Sequence, residues 1–203
     1  LEELFDPGSR RYLYPFITCA TCGPRLTIVT GAPYDRERTT MAPFVMCGAC
    51  RREYEDPRDR RFHAETIACA ACGPSLGLRD AAGRVIPGDP LGRLAALLCE
   101  GRIAAIKGPG GYHLACDATR ADVVEELRRR KHRDEKPFAV MFASLQAIRR
   151  VCEVGEAERQ HLVSPVRPIV LLRRLEGAFA GDAPVREIAP GAPSLGAMLP
   201  STP

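Results

Sequence analysis

Six of the nine cysteines occur in three Cys-x-x-Cys pairs, which are the residues in this chain best suited to chemistry. The pairs are Cys19/Cys22, Cys47/Cys50 and Cys69/Cys72. Eighteen residues separate the second pair from the third, and a glycine after the third pair should supply the backbone freedom that a turn requires. Two such turns present four thiolates to one point, which is the closed tetrahedral site of a structural zinc ion. The second and third pairs are therefore predicted to bind zinc.

Other uses of these cysteines fit the sequence less well. A redox Cys-x-x-Cys is expected near a βαβ pattern, and none surrounds the pairs. Joining the first pair to the second would leave the third without partners, and His63 is not needed where four thiols complete the shell. The remaining cysteines lie in apolar stretches and are expected to be buried and unreactive. They are Cys99, Cys116 and Cys152.

The cysteine region repeats itself at an offset of 50 residues. Residues 6–24 and 56–74 share an Asp-Pro pair, an Arg-Arg-aromatic triplet and a Cys-x-x-Cys-Gly-Pro segment. By the same offset, the partners of Cys19 and Cys22 would fall immediately before Leu1. We therefore expect one complete four-cysteine site and one half site.

Lysine is rare in this chain, and its positions mark two loops. Among 29 basic residues only Lys107, Lys131 and Lys136 are lysines, and each lies beside a loop-like segment. Lysine is a compact point charge and arginine a planar fork, so the two are not equivalent at a tight site. The positions of these lysines therefore indicate a functional role, although an arginine-rich composition alone would also leave few lysines.

The first loop, Lys107-Gly108-Pro109-Gly110-Gly111, follows a predicted strand at 102–107 and precedes His113. Backbone N–H groups and a lysine in such a turn can hold an anion. The alternative is a tight turn with a structural role only. The spacing and the final Lys-Ser or Lys-Thr of a Walker loop are absent.

The second loop carries three cations, Lys131, Arg133 and Lys136, between a helix end and a strand. A solvated helix end that complements the macrodipole is the simple alternative. Together the two loops predict a pocket for a triphosphate or an acyl phosphate.

The pattern of apolar and polar residues changes near residue 90, where helical and strand patterns begin to alternate. Predicted helices cover 90–100, 119–131, 144–152 and 156–163, with a capping box from Thr119 to Asp122. Predicted strands cover 102–107, 137–142, 168–172, 185–188 and 195–199. The expected fold class is α+β or α/β: a small cysteine-rich zinc module at 1–80, then an α/β domain at 81–203 with a twisted, mixed sheet.

Composition excludes few classes of protein. The net charge of +4 is too small by itself to indicate nucleic-acid binding. No apolar run approaches the roughly 20 residues that cross a bilayer, and the first residues lack the pattern of a signal peptide. We expect a cytoplasmic protein without a membrane partner.

Several long segments resemble the HypF family of carbamoyltransferases, which help to mature NiFe hydrogenases. They lie at 6–16, 34–41, 47–64, 105–119, 130–142, 164–172 and 195–203. The family's zinc region has the pattern C-x2-C-x18-C-x2-C-x24-C-x2-C-x18-C-x2-C, and the three pairs of this chain fit its last three. The resemblance implies that 81–203 is the first part of a YrdC-like domain.

The resemblance also implies an activity. Family members activate carbamoyl phosphate with ATP to carbamoyl adenylate, with magnesium expected, and pass the carbamoyl group to the C-terminal cysteine of HypE. By the same resemblance, the nucleotide phosphates would contact Lys131, Arg133 and Lys136. The residues expected to border the carbamoyl end are Lys107, Gly110, Gly111 and His113.

The chain departs from the family pattern in two places. Ser201 stands where the family usually has Tyr, and the later Ser-x-Asn nucleotide motif does not occur. This chain alone is therefore expected to be inactive. The runner-up interpretation is a YrdC-like RNA-binding or tRNA-modification protein with a structural zinc ribbon, with double-stranded RNA as its partner. A purely structural linker between catalytic domains is a third interpretation.

Overall fold

The computed structural model describes residues 2–17, 19, 26–108, 110–177 and 183–200. The chain divides into two compact units, one with Leu1–Ile86 and the other with most of the chain from Pro87 onward. A cysteine-rich unit with short elements precedes a unit with a mixed sheet. This content confirms the predicted fold class.

In the described part of the first unit, all helices and strands are short and surround a small buried cluster. Their bounds are α1 Glu2–Phe5, a 3-10 helix Arg36–Arg38, α2 Gly48–Glu55, β1 Leu78–Arg79 and β2 Val85–Ile86. β1 and β2 pair antiparallel. The buried cluster consists of Cys50, Ile67 and Cys69, with a few half-buried neighbours. So small a cluster offsets little of the entropy that ordering the chain costs, so a metal would have to contribute to folding.

The two copies of the sequence repeat share one local backbone conformation. The amide of Leu13 donates to the carbonyl of Leu4 at 2.8 Å, and the amide of His63 donates to that of Tyr54 at 3.0 Å. Leu13 and His63 both have a left-handed backbone, with φ of 52° and 50°. The sequence repeat is therefore also a structural repeat.

The second unit alternates helices with strands. Their bounds are α3 Pro90–Cys99, β3 Ala104–Gly108, β4 Gly111–Ala115, α4 Ala121–Lys131, β5 Ala139–Met141, α5 Leu145–Arg149, α6 Glu156–Val163, β6 Val170–Arg173, a 3-10 helix Arg186–Ile188 and β7 Ser194–Met198. β3 and β4 form a separate two-stranded sheet.

β7 is the central strand of a three-stranded mixed sheet. It runs parallel to β5 and antiparallel to β6. Its residues Leu195, Gly196 and Ala197 are all buried, as expected for a strand with a neighbour on each side. One apolar core packs around this sheet and includes Val124 of α4 and Leu162 of α6.

Two local predictions in this unit are wrong. Where a strand was predicted at 185–188, the structure has the 3-10 helix Arg186–Ile188, because the amide of Ile188 turns back to the carbonyl of Val185 at 3.3 Å. A short apolar run does not distinguish these conformations. Thr119 does not cap α4 either; its hydroxyl donates to Asp117 at 2.7 Å, and the helix begins after Arg120.

Candidate metal centre and candidate phosphate loop

The thiols of the second and third cysteine pairs come together, with all four sulfurs within 4.8 Å of one another. Cys47 is the N-cap residue of α2, and Cys50 lies in the first turn of that helix. The amides of Cys72 and Gly73 turn back to the carbonyl of Cys69, at 3.0 and 2.8 Å. A helix start and a tight turn thus each present two sulfurs to one point.

The distances between these sulfurs match those of a zinc site. They are 3.8 Å for Cys47–Cys69, 3.8 Å for Cys69–Cys72 and 3.5 Å for Cys50–Cys72. A tetrahedron with zinc–sulfur bonds of about 2.3 Å has edges of about 3.8 Å. Within the described residues, the cluster consists of these four thiols alone. The donor set therefore fits a structural zinc with no open position.

Gly73 is required because a side chain at this position would clash with its neighbours, and not because the backbone needs a positive φ. Its φ is not positive, so the explanation from sequence is wrong for this residue. A Cβ at this position would lie 2.1 Å from the hydroxyl oxygen of Tyr14 and 2.5 Å from the Cβ of Ala68. The Tyr14 hydroxyl itself donates to the carbonyl of Pro74 at 3.1 Å. The first repeat thus packs directly against the turn that holds Cys69.

The thiols of the cluster differ in acidity. Hydrogen bonding from the backbone N–H of Cys50 lowers the pKa of Cys47 to about 6. Burial raises the pKa of Cys50 to about 12, with Arg10 acting in the opposite direction. Since a ligating thiol must lose its proton, a metal ion at this point would supply the charge that deprotonates Cys50.

Two arginines of the first repeat reach the cluster in the second repeat. Nη1 of Arg10 donates to Sγ of Cys50 at 3.2 Å, and Nη2 of Arg11 lies 3.8 Å from the same sulfur. Both guanidinium groups also pair with the carboxylate of Glu53, at 2.7 and 2.6 Å. The sequence does not single out these residues as functional, because an Arg-Arg pair usually indicates a solvated surface. The one signal was that both the Arg-Arg pair and the acidic residue recur at an offset of 50.

Cys19, from the first cysteine pair, is not among the thiols of this cluster. Cys19 is exposed, and Cys22 lies outside the described residues. The half site therefore stays a prediction. His63 is not part of the thiol cluster. Its ring packs against the rings of Phe62 and Tyr54, with centroid distances of 4.4 and 5.0 Å.

The three scattered cysteines differ in burial. Cys152 is buried in the core of the second unit and Cys116 is half-buried beside it. Burial raises the pKa of both thiols, which keeps them protonated and unreactive. The prediction is wrong for Cys99, which is exposed because it ends α3, a helix without a buried residue.

The glycine-rich loop joins β3 to β4. Lys107 is near the end of β3, His113 is in the middle of β4, and both side chains are exposed. Gly111 has a φ of 135°, which L side chains rarely adopt, so this turn requires glycine. Gly110 is exposed at the same turn. The geometry fits an exposed turn that presents one lysine and one histidine from two paired strands.

The path of the basic loop after α4 depends on a buried arginine that the sequence pattern does not single out. Arg128 donates to the carbonyls of Arg133, Asp134 and Lys136, at 2.8, 3.1 and 3.3 Å. It also donates to the carbonyls of Glu187 and Ile188, at 2.6 and 3.0 Å. A single guanidinium therefore sets the path of the loop, because its planar fork can satisfy several carbonyls at once.

The three cations of this loop are not equivalent. Arg133 turns its guanidinium onto the loop itself: it donates to the carbonyl of Lys136 at 3.0 Å and to that of Pro137, over the ring of Phe138. Lys131 and Lys136 are exposed. Of the three residues predicted to bind phosphates, the two lysines thus present their charge to solvent, whereas Arg133 braces the backbone.

Comparison with known proteins places this geometry in a family. The model of the HypF finger matches residues 1–29 and 46–78, and the Sua5/YciO/YrdC model, described as telomere recombination, matches residues 96–203. A HypF-type finger followed by a YrdC-type α/β unit is thus the class of protein that the chain represents.

Relatives match the chain along its whole length. Carbamoyltransferase HypF2 of Cupriavidus necator is 53% identical over 100% of this chain and 25% of its own length. Carbamoyltransferase HypF of Rhodobacter capsulatus is 52% identical over 100% of this chain and 26% of its own. The crystal structure of HypF from T. kodakarensis superposes with a TM-score of 0.93, at 50% identity, over 99% of this chain and 26% of that one.

The chain belongs to the HypF carbamoyltransferase family. It spans about a quarter of the length of the relatives it matches, 25% and 26% in the first two. Within the described residues, no helix is long and apolar enough to cross a membrane.

Proposed function

We propose that this chain is the part of a carbamoyltransferase that activates carbamoyl phosphate with ATP to carbamoyl adenylate. The observation that carries the proposal is identity of about half the residues, 53% and 52%, with curated carbamoyltransferases along the entire chain. A solved structure of full-length HypF in its phosphate- and nucleotide-bound form, 46% identical over 99% of this chain, supports nucleotide binding. The complete protein would pass the carbamoyl group to the C-terminal cysteine of a HypE-type partner, for the cyanide ligands of NiFe hydrogenase.

The two units would divide this work. The zinc module, residues 1–80, would hold one structural zinc through the four clustered thiols, and residues 81–203 would form the first part of the adenylate-forming domain. A closed four-thiolate site offers no position for a substrate, so the zinc would support the fold and take no part in the reaction.

The lysines of the basic loop would bind the phosphates of ATP. Water would first cleave carbamoyl phosphate to carbamate and inorganic phosphate; an oxygen of the carbamate would then attack the α-phosphorus of ATP, and pyrophosphate would leave with the electron pair of the broken P–O bond. Exposed ammonium groups at Lys131 and Lys136 would stabilise that charge, with magnesium as the expected additional cation. Arg133 would hold the backbone of the loop in place through its hydrogen bond to the carbonyl of Lys136. Lys107, Gly110, Gly111 and His113 are proposed to border the carbamoyl end.

The experiment is carbamoyl-phosphate-dependent exchange between ATP and pyrophosphate, measured on the complete enzyme. Lys136→Ala removes one contact to a developing phosphate charge, worth roughly 2–4 kcal/mol, so exchange should slow by about two to three decades. Arg129→Ala is the matched control, since Arg129 is an exposed residue of α4 that pairs with Glu126 at 2.8 Å. The control should exchange like the wild type. Full exchange in Lys136→Ala would mean that this loop is only a solvated helix end.

The alternative function, RNA binding or tRNA modification, is not favoured. The relatives that match the whole chain are curated as carbamoyltransferases, including those at 53% and 52% identity. A HypE-type partner, double-stranded RNA and a cytoplasmic location stay predictions.

A further inference from the structure

We propose that Arg10 and Arg11 are outer-sphere partners of the metal site, which donate N–H groups to the Cys50 thiolate and offset the negative charge of the site. They belong to the first repeat, whereas all four thiols belong to the second. The first repeat would therefore set the metal affinity of the second. This inference rests on the proposed zinc site, and its experiment separates the two.

Arg11 connects both halves of the site. Its side chain is only 2% exposed, and its Nε donates to the carbonyl of Ala68, the neighbour of Cys69, at 2.9 Å. Its Nη2 faces α2, where it lies 2.6 Å from Glu53 and 3.8 Å from the sulfur of Cys50. One rigid guanidinium thus joins the helix that bears Cys50 to the turn that bears Cys69.

Arg10 makes the shorter approach to the sulfur. Its Nη1 lies 3.2 Å from Sγ of Cys50, within the range of an N–H···S hydrogen bond, and Glu53 holds the same guanidinium at 2.7 Å. Its side chain remains about a third exposed, at 30%, so it can be replaced without opening the core. The geometry is that of a sulfur ligand oriented by a second layer of donors.

Charge explains why such donors matter here. Zinc carries two positive charges and four thiolates carry four negative ones, so the bound site has a net charge of about −2. Two guanidinium groups beside one sulfur favour the deprotonated, metal-bound state. The carboxylate of Glu53 keeps both arginines in place. Outer-sphere partners of this kind typically change metal affinity 10- to 100-fold.

The repeat supplies a matched control. In the mirrored position, Arg60 pairs with Glu3 at 2.7 Å, as Arg10 pairs with Glu53. Within the described residues, no hydrogen bond from Arg60 to a thiol is present. Arg60→Met therefore removes an equivalent cross-repeat ion pair without removing a hydrogen-bond donor to Cys50.

The experiment compares Arg10→Met, Arg10→Lys and Arg60→Met in the whole chain. Zinc affinity would be measured by competition with a chelator, and the sulfur-to-cobalt charge-transfer band would be recorded after substitution with cobalt. Arg10→Met should bind zinc 10- to 100-fold more weakly, and its band should move to longer wavelength, because a sulfur without its N–H donor is a better electron donor. Arg10→Lys should recover part of both effects, and Arg60→Met should match the wild type.

Two results would overturn the proposal. The first is an Arg10→Met protein with the affinity and the band of the wild type. The second is an equal loss in Arg60→Met, which would show that only cross-repeat ion pairs matter. If the wild-type chain bound no zinc or cobalt, the proposed metal site would be wrong together with this inference. If the wild type bound metal and the variants bound it equally well, only the inference would be wrong.

Discussion

At the scale of single residues, buried arginines hold irregular segments of the backbone together. Arg36 is buried and donates to the carbonyls of Glu65, Ile67 and Phe44, at 2.7, 2.9 and 2.7 Å. Arg11 and Arg128 satisfy main-chain carbonyls in the same way. Each guanidinium has five N–H donors, so one side chain can tie several irregular segments together where regular hydrogen bonding is missing.

The roles of individual cysteines can be tested by metal content. Cys69→Ser removes one of the four clustered ligands, so the chain should lose its tightly bound zinc. Cys19→Ser changes an exposed thiol outside that cluster and should leave the tight zinc in place. Zinc per chain after dialysis, measured by elemental analysis, decides the matter. Equal loss in both variants would contradict the pairing of the second and third cysteine pairs.

At the scale of elements, α4 and the loop after it depend on one residue. The helix ends at Lys131 with His132 in a left-handed conformation, φ 47°, and Arg128 then holds the loop by its carbonyls. The guanidinium of Arg128 also lies over the ring of Phe138, 4.7 Å from its centre. The charged loop proposed to bind phosphates is thus held by hydrogen bonds from arginine side chains to its own carbonyls.

Replacing Arg128 should destabilise the second unit. Arg128→Met removes the guanidinium donors from the part-buried carbonyls of Arg133, Asp134 and Glu187, and we expect the free energy of unfolding to fall by about 3 kcal/mol. Arg129→Met on the same helix removes only an exposed ion pair and should change it by no more than about 0.5 kcal/mol. Urea denaturation of both variants measures the difference. Similar midpoints for the two would show that the carbonyl contacts of Arg128 contribute little.

The elements also show what the sequence could and could not predict. Helices at 90–100 and 156–163 were predicted nearly to the residue, since each has strong helical spacing or a clear start and stop. The prediction of a strand at 185–188 is wrong because the apolar pattern of this segment suits a 3-10 helix as well. The four clustered thiols followed from spacing alone. The inward turn of Arg133 could not be predicted, because it depends on which carbonyls the fold leaves open.

At the scale of the whole molecule, the two units are stabilised by different means. The second unit has a continuous apolar core around β7, including Leu172, Leu195 and Ala197. The first has a small apolar cluster that includes two of the thiols themselves, Cys50 and Cys69. Metal binding would therefore be coupled to folding in the first unit, at roughly 10 kcal/mol per site, and not in the second.

The central claim is that four thiols of the first unit hold one zinc ion, and X-ray absorption at the zinc edge tests it most directly. The purified chain should show four sulfur atoms at about 2.3 Å from zinc and no nitrogen or oxygen ligand. The measurement is made on the Cys19→Ser chain, so that the first cysteine pair does not contribute. A shell with fewer than four sulfurs, or with a nitrogen ligand, would contradict the site formed by Cys47, Cys50, Cys69 and Cys72.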